Sequence, residues 1–381
     1  MGRSKVIFNL STNNLGRIRQ GNDGISGFLR FASVPAEFGT DNVKLIGSVK
    51  EAETLGITAL AYKELHYHIS EYFRIAGNSS LYVGIFNNSG SAGYTFDEIL
   101  FMQRIALGQM SQLGVYLTED LTTGLVNTLH AKKIAMDALL TPCQIILTAN
   151  VVGVTLPDFS AATTYGVSIS NDQSGQGRGA TIAASNGKTI GSVGAALGAV
   201  SLVSVQRSIG SVEFVQNLAG SELDVIADGK GNLYTSLSNA QVDAEIAKGY
   251  LKLIKHPGLS GTYFNDDSVC AGSGDLNNIH LNRVINKAIK GVAAALAGKL
   301  NGDIILNADG TIATVSAKSF ESIAGVPLDL MRSLNEVSDY SVYVNPDQNI
   351  LGTDNLNVEI KIVPTGTAKT ITVNIGFVRS L

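Results

Sequence analysis

Two cysteines, Cys143 and Cys270, are all that the 381 residues supply. They are too few for a disulfide framework and too isolated for metal-ligand spacing, so they read as small buried hydrophobes in a reducing compartment. Charge is scarce as well. Asp, Glu, Lys and Arg make up 16% of the chain, where an ordinary soluble domain has about 25%. Much of the surface is therefore uncharged, and the 41 glycines extend that character. A polar, weakly charged surface suits coverage by neighbouring subunits; a glycine-rich, loop-rich monomer is the alternative. The net charge of −4 leaves no global basic field to hold nucleic acid.

Long apolar runs are missing too. The most apolar stretch, residues 191–205, is interrupted by Ser192, Ser201 and Ser204 and falls short of the roughly 20 residues a membrane helix needs. Near the start, Val6, Ile7 and Phe8 are followed at once by Asn9, so no secretory apolar core is present. These features predict no direct membrane insertion and assembly in the cytoplasm.

Catalytic signatures are equally sparse. The chain has no Gly-x-Ser-x-Gly elbow, no His-Glu-x-x-His and no Cys-x-x-Cys. Gly187-Lys188-Thr189 resembles the end of a phosphate loop, but Ile182 stands where the first glycine belongs, which predicts a plain loop before a helix. Gly175, Gly177 and Gly179 follow Asn171-Asp172-Gln173-Ser174 and read as flexible loop instead of a dinucleotide fingerprint. His66 and His68 lie two apart in a helical pattern, roughly 200° around the axis, and Asp266, Asp267 and Asp275 match no calcium-loop spacing. No catalytic, cofactor or metal residue is assigned.

What is present is an ordered alternation. A helical pattern over about 40–76 carries Leu60, Leu65, Ile69 and Phe73. Leu81 to Phe86, Val115 to Leu117 and Ile145 to Val152 read as strands, separated by helices over Phe96 to Met110 and Leu121 to Leu140. Apolar strands alternating with helices predict a parallel sheet covered by helices. A further helix from Lys188 to Ala199 contains Gly191, Gly194 and Gly198, which would let another backbone approach closely. Asp228-Gly229 predicts a tight turn, Gln241 to Lys248 a short helix, and Asp309-Gly310 a hairpin.

A long helix from about Asn278 to Ala297 has an apolar stripe and a basic flank of Arg283, Lys287 and Lys290. The far C-terminal part alternates twice. Val358, Ile360 and Ile362 precede a Pro364–Gly366 turn, and Ile371, Val373, Ile375 and Phe377 follow it, which predicts a closing hairpin. At the other end Val6, Phe8 and Leu10 form a lone strand. The expected fold class is α/β with α+β elaboration: an N-terminal arm over 1–20, a parallel-sheet domain over 21–255, and a C-terminal α+β domain over 256–381 ending in the hairpin arm.

The order of these features resembles contractile phage tail and injection-system sheath proteins. The resemblance rests on the lone strand Val6 to Leu10, on His256-Pro257-Gly258 through Thr262-Tyr263-Phe264-Asn265-Asp266 leading to the helix with Arg283, and on the closing Ile371-Thr372-Val373-Asn374-Ile375. It implies that terminal arms add strands to neighbours, knitting a homopolymer of hexameric rings around an inner tail tube protein, with baseplate and terminator proteins at its ends. Val6, Phe8, Leu10, Ile371, Val373, Ile375 and Phe377 would be the exchanged positions. Asn13 to Gly16 and Gly352 to Asn355 would be hinges. Arg283, Lys287 and Lys290, or the segment Asp329 to Glu336, would face the tube. Two other classes are weighed against it: a nucleotide-dependent enzyme on the α/β core, which would bind nucleotide saturably, and a non-contractile structural or adhesive protein, which would form a closed complex.

Overall fold

The computed structural model describes residues 22–77, 79–87, 93–213, 215, 218–220, 222–272, 274–353, 355–369, 371–373, 375 and 377. Val6, Phe8 and Leu10, and the hinge at Asn13 to Gly16, lie outside the described residues. The chain divides into a larger unit ending at Lys290 and a smaller one beginning at Gly291, a later division than the 255/256 boundary read from the sequence.

The larger unit is built on a six-stranded sheet. Its strands are β1 (Ser26–Phe31), β2 (Val43–Ile46), β3 (Leu81–Phe86), β4 (Gln112–Asp120) and β5 (Gln144–Asn150). A two-residue strand β6 (Thr163–Thr164) pairs with Cys270–Ala271 outside this sheet, and β7 (Val167–Ile169) completes it. The order is β2-β3-β1-β4-β5-β7, parallel throughout except for the β2 edge. The expected parallel core is present. Both faces are covered, which is why its strands read as apolar runs.

Helices α2 (Lys63–Ala76) and α6 (Val193–Leu202) cover one face, packing with Phe28, Val83, Tyr116 and Ile146. On the other, α3 (Asp97–Ile105) and α4 (Thr123–Ala138) pack with Leu29, Val115, Ile145 and Leu147. α4 starts where it does because Thr122 Oγ1 accepts from Leu125 N at 3.2 Å. The helical pattern over 40–76 resolves differently from expectation: residues 43–46 form β2, a short helix α1 (Val49–Thr54) follows under a Ser48 cap, and α2 comes last.

Close approach of α2 and α6 depends on glycine. A Cβ on Gly194 would lie 2.3 Å from the His68 carbonyl oxygen, and one on Gly198 would lie 2.9 Å from that of Tyr72. Both atoms are backbone, so any side chain there forces the helices apart. The expected role of these two glycines holds. The helix, however, begins only at Val193; a separate helix α5 (Gly177–Asn186) precedes it and ends in the left-handed Gly187.

Next come α7 (Asn239–Ala247), closed by a Ser238–Gln241 capping box, and α8 (Ile279–Ala297). The Asp228 carboxylate accepts from Lys230 N and Asn232 N, making the expected turn. The smaller unit holds helix α9 (Thr314–Ser333) and an antiparallel pair, Val337–Tyr343 with Glu359–Pro364. Here the structure corrects the sequence reading. The partner of Glu359–Pro364 is Val337–Tyr343, and the described residues among 371–377 carry no strand assignment. The Asp309-Gly310 hairpin is present, with Asn307 N donating to Thr311 O at 2.8 Å and a bridge between Leu306 and Ile312.

Candidate functional site: assembly surfaces

The nucleotide alternative can be judged from two glycine-rich turns, and both are already filled by the chain itself. Gly177 (φ +66°) opens α5 and is not flexible loop, contrary to expectation. The backbone N–H groups of Arg178 and Gly179 at that helix start donate to the Glu222 carboxylate at 3.1 and 2.8 Å. An internal carboxylate thus takes the place that a phosphate would occupy. At Gly187-Lys188-Thr189, Thr189 Oγ1 donates to the Gly229 carbonyl at 2.6 Å and accepts from Val151 N at 3.0 Å. Lys188 reaches Asp120 at 3.5 Å. These groups tie strand ends together and frame no anion cradle.

Buried charge elsewhere is likewise structural. The Lys252 ammonium lies 2.5 Å from Asp172 and 2.6 Å from Glu245, and Leu253 N donates to Asp172 at 2.7 Å. Burial pushes the Asp172 carboxyl up to about 6 against the pull of Lys252; the two carboxylates hold Lys252 protonated. Asp267, fully buried, accepts from Ser208 Oγ, Asn278 Nδ2 and His280 N, and meets His280 Nδ1 at 2.5 Å. Burial alone would raise its carboxyl, but the His280 contacts prevail and hold it down at about 2.

The basic flank of α8 is not a free surface. Arg283 is 3% exposed, and its guanidinium donates to the carbonyls of Val203, Ser204 and Asp23. Lys287 pairs with Asp23 at 2.6 Å, and Lys290 donates to the Met110 carbonyl at 2.8 Å while burial lowers its pKa. Helical spacing placed the three on one side correctly, but that side faces inward. Arg283, Lys287 and Lys290, expected to face the tube, make these contacts inside the larger unit and hold there the part of α8 that ends at Lys290.

The smaller unit presents a different kind of surface. In its two-stranded sheet, Tyr340 opposes Ile362 and Val342 opposes Ile360, all half-buried, while Tyr343 and Val363 are exposed. Among the described residues neither outer edge of this pair has a partner strand. Beyond it, Ile371, Val373, Ile375 and Phe377 are 80%, 75%, 96% and 109% exposed. Exposed apolar residues at alternate positions, in the same unit as a sheet whose edges have no partner strand among the described residues, are complementary liabilities. Sequence reasoning found the first and missed the second, because a bulge between Val337 and Asp339 breaks the period of that strand.

A mostly parallel sheet between two helical layers, followed by a smaller α+β unit, is the fold of contractile sheath proteins. Solved structures bear this out. The anti-feeding prophage helical sheath in its contracted state matches with a TM-score of 0.64 at 12% identity, covering 98% of both chains. A chain of the six-fold symmetrised anti-feeding prophage baseplate matches at 0.63 and 11%, covering 99% of both. The sheath tail protein of Desulfitobacterium hafniense matches at 0.52 and 11%, covering 95% of this chain and 100% of that one. The chain belongs to the DUF2586 family: residues 3–268 match the DUF2586 N-terminal domain and residues 275–381 the DUF2586 C-terminal domain. No curated protein sequence matches it.

Proposed function

We infer that this chain is the structural subunit of a contractile sheath. Copies assemble in the bacterial cytoplasm into helically stacked hexameric rings around an inner tube, and contraction drives that tube through a membrane. The observation that carries this reading is the exposed Ile371, Val373, Ile375 and Phe377 alternation in the unit whose two-stranded sheet has, among the described residues, no partner at either edge. The sheath fold supports it. The apolar segment of one copy adds to the edge of Val337–Tyr343 or Glu359–Pro364 in another, where backbone hydrogen bonds give affinity and alternate side chains give register. Val6, Phe8 and Leu10 make the corresponding addition from the other arm, and Gly352 to Asn355 acts as a hinge. Such head-to-tail contacts do not close and so propagate.

The segment Asp329 to Glu336, at the end of α9, faces the tube. Asp329 and Arg332 are about half exposed and pair at 2.8 Å, a contact weak enough to exchange for tube partners. Baseplate and terminator proteins meet the ends of the polymer.

Replacing Ile371, Val373, Ile375 and Phe377 together with Ser tests the reading by analytical ultracentrifugation. These side chains lie in solvent, so the variant should melt as the unsubstituted chain does yet sediment as single subunits or small oligomers. A variant that still forms fast-sedimenting polymers at the same concentration would remove the arm from assembly.

A further inference from the structure

Two helices on the same face of the sheet end in an unusual way. Leu107, just past α3, has φ +52°, and Leu140, just past α4, has φ +57°. Glycine or asparagine normally takes that left-handed position, as Asn301 and Asn335 do in this chain. A leucine there strains the backbone. Neither side chain is compensated by burial, since Leu107 is 83% and Leu140 56% exposed, with Ile105 and Leu139 beside them at 48% and 63%. The two helix ends abut: Gln103 Nε2 donates to the Thr141 carbonyl at 2.8 Å, and a Cβ on Gly108 would meet Thr141 at 2.7 Å.

Each helix leads into the start of the next parallel strand, so this apolar patch sits at the sheet edge where β4 and β5 begin. Arg104 is exposed within it and belongs to no ion pair of the described residues. The opposite edge is the one where the strands end. There Leu60, in the turn before α2, is 94% exposed, and Glu119 near the end of β4 is exposed and likewise outside any ion pair of the described residues.

We propose that Leu107 and Leu140 dock on the strand-end edge of a second copy of this chain, against its Leu60, with Arg104 facing its Glu119. This rests on the sheath reading and names one surface by which copies stack head to tail. The strained, exposed leucines are retained because the contact buries them, and the charge pair fixes direction more than it adds affinity.

The test uses the full chain carrying Leu107→Gly and Leu140→Gly. Glycine fits both backbone positions, so the melting temperature should stay within a few degrees. The threshold concentration for polymer, read by pelleting, should rise about tenfold or more, the loss expected when a buried leucine side chain is removed from a contact. Arg104→Glu should raise it too, and Glu119→Arg in the same chain should bring it back. If the double-glycine variant polymerises at the unsubstituted threshold, the docking surface is wrong and the sheath reading stands. If its melting temperature falls sharply, the leucines serve the fold and the proposal is overturned. If the unsubstituted chain never polymerises, both fall.

Discussion

A Lys252→Met variant should lose about 3–5 kcal/mol of folding stability at neutral pH, the usual result of removing one member of a buried ion pair. The reason is local. Lys252 is 2% exposed and holds two carboxylates, one of them the 3%-exposed Asp172. Without the ammonium, Asp172 keeps one backbone donor, Leu253 N, and no counter-charge. Its carboxyl already titrates near 6 because of burial, and losing Lys252 moves it higher. Below that value the folded variant binds a proton that the unfolded chain, with a carboxyl near 3.9, does not. The deficit should therefore shrink as pH falls from 8 to 5. Adding Asp172→Asn should recover much of it, since the amide carries no charge to strand. Urea denaturation of the three variants at pH 8 and pH 5 measures this; a small deficit that ignores both pH and Asp172→Asn would refute it.

The second large effect belongs to His68. Its ring is fully buried among Phe28, Tyr67 and Tyr116, at centroid distances of 5.5, 5.3 and 4.8 Å. Its ring nitrogens find no partner beyond a weak contact to the Ile190 backbone. Burial, and then the nearby Arg30, hold its pKa down at about 3. Well above 6.5 the imidazole is neutral in both states and adds no pH dependence. As pH falls from 6.5 towards 3 the unfolded chain takes up a proton that the folded one refuses, and stability drops by about 1.4 kcal/mol per pH unit, about 5 kcal/mol in all. His68→Phe keeps a ring of similar size and removes that proton. The difference in stability between variant and parent should be constant above pH 7 and move increasingly in the variant's favour below pH 6. Parallel acid limbs for the two proteins would contradict the assignment.

The α/β core was legible because parallel strands buried on both faces announce themselves as apolar runs between helices. Leu81–Phe86 emerged with its bounds intact and β4, β5 and α4 within a few residues, while α3 ends at Ile105, well before the Met110 expected. The central strand β1 was not read, although it lies in the middle of the sheet. Its sequence, Ser-Gly-Phe-Leu-Arg-Phe, contains a glycine whose space is filled by Met110 and Leu113 from elsewhere in the chain. Helix α9 escaped because Pro327 interrupts its interior. Spacing put Arg283, Lys287 and Lys290 together, but a periodic pattern cannot say which basic face is solvated. Only the carbonyls of Val203, Ser204 and Asp23 around Arg283 settle that. The terminal apolar alternation was plain in the sequence. Its exposure was not, because the strand that pairs with Glu359–Pro364 comes from an irregular segment upstream.

Electron microscopy of the purified, unsubstituted chain, across protein concentration and salt, tests the central claim most directly. The sheath account predicts hollow, striated tubes or stacked rings whose length grows with concentration. Globular particles of one fixed size under every condition would contradict it and favour a closed complex.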